Sequence, residues 1–251
     1  APSGHAYKTT GIDFAFAGAA VGFICWLCIG ATTSRGQEAT DAARRTPLRQ
    51  SLREVLSVRQ VRLAAITAGA LMGMLFGFGG LWDVSLQQAF GYSHDDSVNL
   101  NSWLFVGVAI VPPFAGWAAD RWRKRRPILF AGQIVAFIAV ALVLLIQGPL
   151  PYWLVAANLL ILGMGIGTCV LTFPIACDAV APANAGAALG VVNAAGLLSS
   201  AVFQVVPGIA FHLADSHSLL IMRIVMAIFA VAVAIGAWAT WQMKPCPPEP
   251  R

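Results

Sequence analysis

Asp83 interrupts a long apolar run that begins near Val61, directly after Trp82 and one helical turn before Gln87 and Gln88. A carboxylate held among apolar and amide side chains can bind and release a proton, which makes Trp82, Asp83 and Gln87 the first group of candidates. The plainer alternative is that Asp83 lies near the outer end of its run and is simply solvated. Asn101, Asn158, Asn193 and Gln204 are spread over further apolar runs. An amide offers both donors and acceptors, which suits a neutral or zwitterionic solute; its alternative use is to hydrogen-bond neighbouring helices at about 0.6 kcal/mol per bond. Trp103 fits a stacking wall or, more simply, an interfacial anchor. Arg223, the one basic residue well inside a run, is expected to reach outward toward Asp215 rather than to bind an anion.

Other chemistries find no residues. No paired carboxylates, His cluster or Ser/His arrangement shares one depth, which disfavours an enzyme, and no Gly-x-x-x-x-Gly-Lys nucleotide loop is present. His5, His94, His212 and His217 fall in the tail or the connections between runs. Five cysteines carry no His at metal-ligand spacing, and Cys25-x-x-Cys28 sits in a predicted helix with no strand before it, so they read as packing residues. No cofactor or metal is expected.

The elements that must position these side chains are membrane helices. The chain is 58% hydrophobic and 11% charged, with a mean hydropathy of +0.74, whereas soluble domains carry about 25% charge. The net charge of +5 is concentrated: twelve of sixteen Lys and Arg residues lie in 35–62 and 121–126. That clustering describes basic loops beside anionic lipid, not a nucleic-acid site.

Gly116-Trp-Ala-Ala-Asp120-Arg121-Trp-Arg123-Lys124-Arg125-Arg126-Pro127 forms a charged turn between two apolar runs. The string resembles the loop signature of the major facilitator superfamily, Gly-x-x-x-Asp-Arg-x-Gly-Arg-Arg/Lys. Gly116, Asp120 and Arg121 stand in register, Lys124 and Arg125 fall on the following basic positions, and Arg123 occupies the place of the second glycine. The resemblance implies a gate at this turn, in which Asp120 caps the N-terminus of a helix from the opposite half while the basic residues hold it. The alternative is a basic turn needed only for topology.

Around it, the hydropathy pattern predicts seven spans, with the N-terminus outside and the C-terminus inside. A polar outer tail (1–11) precedes a first span (12–31). A basic cytoplasmic linker (32–60) follows, in which Thr46-Pro47 and the spacing of Leu48, Leu52, Val55 and Leu56 predict an amphipathic helix over about 47–57 on the inner membrane face. Six further spans (61–241) and a cytoplasmic tail (242–251) complete the chain. Gly69, Gly73 and Gly77 should form a groove for a neighbouring helix, Gly77, Gly79 and Gly80 should interrupt the second span, 91–99 should be an outer loop, and Pro112-Pro113 should kink the third span.

The expected fold class is therefore all-α integral membrane, a six-helix half-bundle of the major facilitator type preceded by one transmembrane helix. In that family the pattern corresponds to the sixth helix, the central loop and helices seven to twelve, which makes the chain a piece of something longer, without the N-terminal half. The resemblance places the candidate amides in helices that line the central cavity. It implies a secondary transporter that moves a small organic solute by alternating access with protons as the coupling ion, in a bacterial inner membrane. The alternatives are a proton-driven exporter and a membrane assembly subunit that transports nothing.

Overall fold

An apolar chain in hydrocarbon must satisfy its backbone internally, and helices do so segment by segment. The computed structural model describes Phe23 and residues 47–145, 150–214 and 219–244. Apart from Phe23, the first span lies outside the described residues, as do most of the linker, Cys25, Cys28 and Asp215.

The linker helix α1 covers Leu48–Ser57, with Pro47 rather than Thr46 in the cap position and no side-chain cap. The second helix, α2 (Arg59–Gly73), continues through a π-helical segment (Met74–Trp82) into α3 (Asp83–Ala89). Next come α4 (His94–Trp122) and α5 (Arg125–Leu145). The following helix, α6 (Tyr152–Gly167), passes through a 3-10 turn (Thr168–Leu171) into α7 (Thr172–Cys177). Another 3-10 turn (Pro182–Asn184) leads to α8 (Ala185–Ala214), and α9 (Leu219–Gln242) closes the order. Among the described residues no strand occurs, and six helical stretches are long and apolar enough to cross a membrane: Arg59–Ala89, His94–Trp122, Arg125–Leu145, Tyr152–Cys177, Pro182–Leu213 and Leu219–Gln242.

Because lipid is as apolar as leucine, these helices associate through close packing at small residues rather than by hydrophobic expulsion. At the α4–α6 crossing, a Cβ on Gly163 would run into the Leu104 carbonyl, and one on Gly107 into that of Leu160. The predicted glycine groove of α2 is filled by α8, with Ser199 against Gly69 and Phe203 against Gly73 and Gly77. Phe203 and Phe78 each pack on Phe229 of α9 with ring centroids 5.5 Å apart.

Two local expectations are corrected. The glycine-rich stretch does not break the second span: it widens into a π segment, two of whose carbonyls accept from neighbouring helices, Phe76 O from Gln204 and Gly79 O from Asn101. The outer loop is shorter than 91–99, because Ser93 caps α4 by accepting from the Asp96 N–H at 3.1 Å while donating to the Asp96 carboxylate at 2.7 Å. Pro112 and Pro113 both lie inside α4.

Candidate functional site

Two groups of polar side chains stand out, one at the charged turn and one inside the bundle. At the turn, α4 ends with Arg123 in the left-handed conformation, φ 52° and ψ 35°, its N–H bonded to Ala119 O, to which Lys124 N also donates at 3.3 Å. Glycine reaches this conformation without strain, which is the physical reason a glycine suits the position Arg123 occupies. Asp120 is exposed and lies 3.7 Å from Arg125, which also donates to Asp178 at the end of α7. Arg121 and Lys124 are exposed and form no ion pair among the described residues. Gly116 faces open space, with nothing within 4 Å of where its Cβ would be.

Sequence reasoning missed the partners of this turn. Arg126 donates to the Thr240 and Trp241 carbonyls at the end of α9 and lies over the Trp241 ring at 5.6 Å, a cation at a helix C-terminus. Asp178 was visible only as the end of a span; that two short turns emerge at one end of the bundle is the signal that would have paired it with Arg125. The linker helix α1 rests on the 3-10 turn before α8: Ser51 donates to the Asn184 oxygen, Asn184 donates to Glu54 at 2.9 Å, and Val55 is fully buried. These hydrogen bonds, from Asn184 first and Gln50 second, hold the Glu54 carboxyl below its ordinary 4.5.

Inside the bundle, Asp83 and Gln87 are buried, not solvated, because α3 folds under the start of α4 and into the core of Phe78, Leu86 and Leu104. The Gln87 amide donates to Asp83 Oδ1 at 3.0 Å, an i, i+4 pair on one face of α3. Asp83 Oδ2 and Gln87 Oε1 have no hydrogen-bond partner. Trp82 donates to the Gln204 carbonyl at 3.2 Å and stands 5.4 Å from the Phe211 ring. Asn101 donates to Gly79 O at 2.8 Å, Gln204 to Phe76 O at 3.1 Å and Asn158 to Ala139 O at 3.1 Å. Three of the four candidate amides thus tie one helix to the backbone of another. The structure brings Asp83 to Gln87, Trp82 to Gln204, and Gln87 to Asn158 across a small cavity, whereas Asn193 stands apart, exposed on α8.

Six long apolar helices with buried polar groups and a basic end define a multi-pass integral membrane protein. The sequence profile of the Major Facilitator Superfamily matches residues 4–204, and the chain belongs to that family of secondary transporters. No curated protein matches the chain.

Proposed function

We propose that the chain forms the second six-helix half of a proton-coupled carrier that moves a small organic solute across a bacterial inner membrane by alternating access against a complementary half. The observation that carries this reading is the Asp83–Gln87 pair: a carboxylate and an amide wholly enclosed in an otherwise apolar half-bundle, bonded to one another and short of further donors. An intramembrane ionisable group is costly to keep, and proton relays are a main reason for keeping one.

The solute would meet α8, where Gly186, Gly190, Asn193 and Gln204 recur at helical spacing on exposed backbone beside the groove contact with α2. Trp82 supports that wall through its bond to the Gln204 carbonyl, and Asn101 braces the π segment behind it through Gly79 O, rather than touching solute. The charged turn would be the gate on the cytosolic side. There the exposed Asp120 is aimed by Arg125, Gly116 leaves room for a close neighbour, and Arg121 and Lys124 remain available to the opposite half and to anionic lipid.

The test is uptake into vesicles by the full-length protein, with and without an imposed proton gradient. Asp83→Asn is expected to abolish proton dependence while leaving solute binding largely intact; unchanged pH dependence would remove Asp83 from the coupling scheme. Asp120→Asn is expected to lower turnover more than affinity, and a pure affinity loss contradicts the gate. A protein that accumulates nothing and co-purifies stoichiometrically with another membrane complex is an assembly subunit instead.

A further inference from the structure

The side chains around Asp83 lack one kind of group. Oδ1 of Asp83 accepts from Gln87, but Asp83 Oδ2 and Gln87 Oε1 are both out of solvent contact and unbonded. Both atoms are acceptors, so what is missing is a donor. A proton on Asp83 supplies one. The other must come from something small beside Gln87.

A cavity of about 10 Å³ lies there, lined by Gln87, Tyr92, Val143, Leu150, Val155 and Asn158. A water needs roughly that much space and two to four polar partners. Gln87 offers its unbonded oxygen; Asn158 spends its amide N–H on Ala139 O, which leaves its oxygen; Tyr92 donates its phenolic hydrogen to Leu150 O, which leaves the phenolic lone pairs. Tyr92 and Leu150 belong to the connections at the end of the bundle opposite the charged turn, so the cavity lies between that end and the Asp83–Gln87 pair.

We propose that this cavity binds one water and is the port through which protons pass between Asp83 and the end of the bundle opposite the charged turn, separate from the α8 face offered to solute. The inference rests on Asp83 being the proton-carrying group. Gln87 lies between the cavity and Asp83; when its side chain swings aside, a proton that has arrived on the cavity water passes to the Asp83 carboxylate and leaves neutral water behind, so that only O–H bonds form and break. The reverse sequence discharges it. Tyr92 is a latch and not a carrier: burial holds its phenol above the ordinary 10.0 despite the opposing effect of the bond to Leu150, so it keeps its hydrogen and its bond.

Other ionisable groups flank this region without lining the cavity. His94, Asp95 and Asp96 are exposed at the start of α4, His212 is exposed near the end of α8, and Tyr152 opens α6. On α9 Arg223 lies over the Phe90 ring at 5.5 Å, and Phe90 stands between it and the cavity.

The experiment measures proton uptake by the reconstituted full-length protein after an external pH jump, with a dye in the vesicle lumen, alongside equilibrium solute binding. Filling the cavity with Asn158→Leu and Val155→Phe is expected to slow proton uptake about tenfold or more with solute affinity unchanged. Tyr92→Phe, which frees Leu150 O and should fold normally, is expected to speed it several-fold. If Asp83→Asn abolishes proton dependence while both port variants take up protons at the original rate, the port is wrong and the assignment of Asp83 stands. If Asp83→Asn leaves proton dependence intact, the assignment fails, and the port with it. Uptake that follows sodium rather than protons through the same variants also overturns the proposal.

Discussion

The charged turn and the Asp83–Gln87 pair place polar groups under opposite conditions. At the turn the charges stand at the edge of the bundle: Arg125 reaches two carboxylates, Arg126 reaches two carbonyls and a ring, and Asp120 stays exposed. Partly exposed ion pairs of this kind contribute about 0–1 kcal/mol each. Around Asp83 there is a single side-chain bond and no water-exposed surface. Desolvation makes such a group unfavourable unless it is compensated, so its presence argues for function more than for stability. The contrast extends to the backbone, since the α4–α6 crossing inside the bundle has no room for a Cβ at Gly107 or Gly163 while Gly116 at the turn has nothing near it.

The largest effect should come from adding volume to the closed region. Gly163→Val sets side-chain carbon against the Leu104 carbonyl, and a backbone contact cannot yield as a side chain would. We expect a loss of about 3 kcal/mol or more, seen as collapse of folded yield and of the melting temperature in detergent. Gly116→Ala is the matching control. It should leave stability within about 0.5 kcal/mol while lowering turnover through the gate. Equal loss of stability from both substitutions would erase the distinction between the two regions.

What could be read in advance follows the same division. Apolar length is a property of single segments, so the span expected at 61–89 appears as Arg59–Ala89, and the groove of Gly69, Gly73 and Gly77 was legible from spacing alone. Position along a span suggested that Asp83 lay near the surface, but burial is set by the π segment and by α4 folding back over α3, neither of which a hydropathy window detects. The Ser93-x-x-Asp96 cap could have been found and was hidden by the polarity of the stretch around it. Partners distant in sequence, such as Arg125 with Asp178 or Asn158 with Ala139 O, depend on which helices meet, and that information lies between segments.

A smaller effect, of opposite sign, is expected at Arg123. Because it is held at φ 52°, Arg123→Gly removes left-handed strain of about 1 kcal/mol, less a few tenths for the added freedom of the unfolded chain. The variant should melt a few degrees higher without altered proton dependence. A lower melting temperature would mean that the Arg123 side chain contributes more to the turn than its backbone strain takes away.

The smallest effect belongs to an exposed group. Glu54 carries hydrogen bonds from Asn184 and Gln50 that hold its carboxyl below the ordinary 4.5, so its contribution to docking α1 is fully present above that pH and is lost as pH falls through the lowered value. A spin label at Leu56, which points away from the bundle, should gain mobility only in that acid range, and Glu54→Gln should flatten the response while keeping the helix in place. Mobility that ignores pH in the original protein would assign the docking of α1 to the burial of Val55 instead, leaving the charged end dependent on packing as much as the interior is.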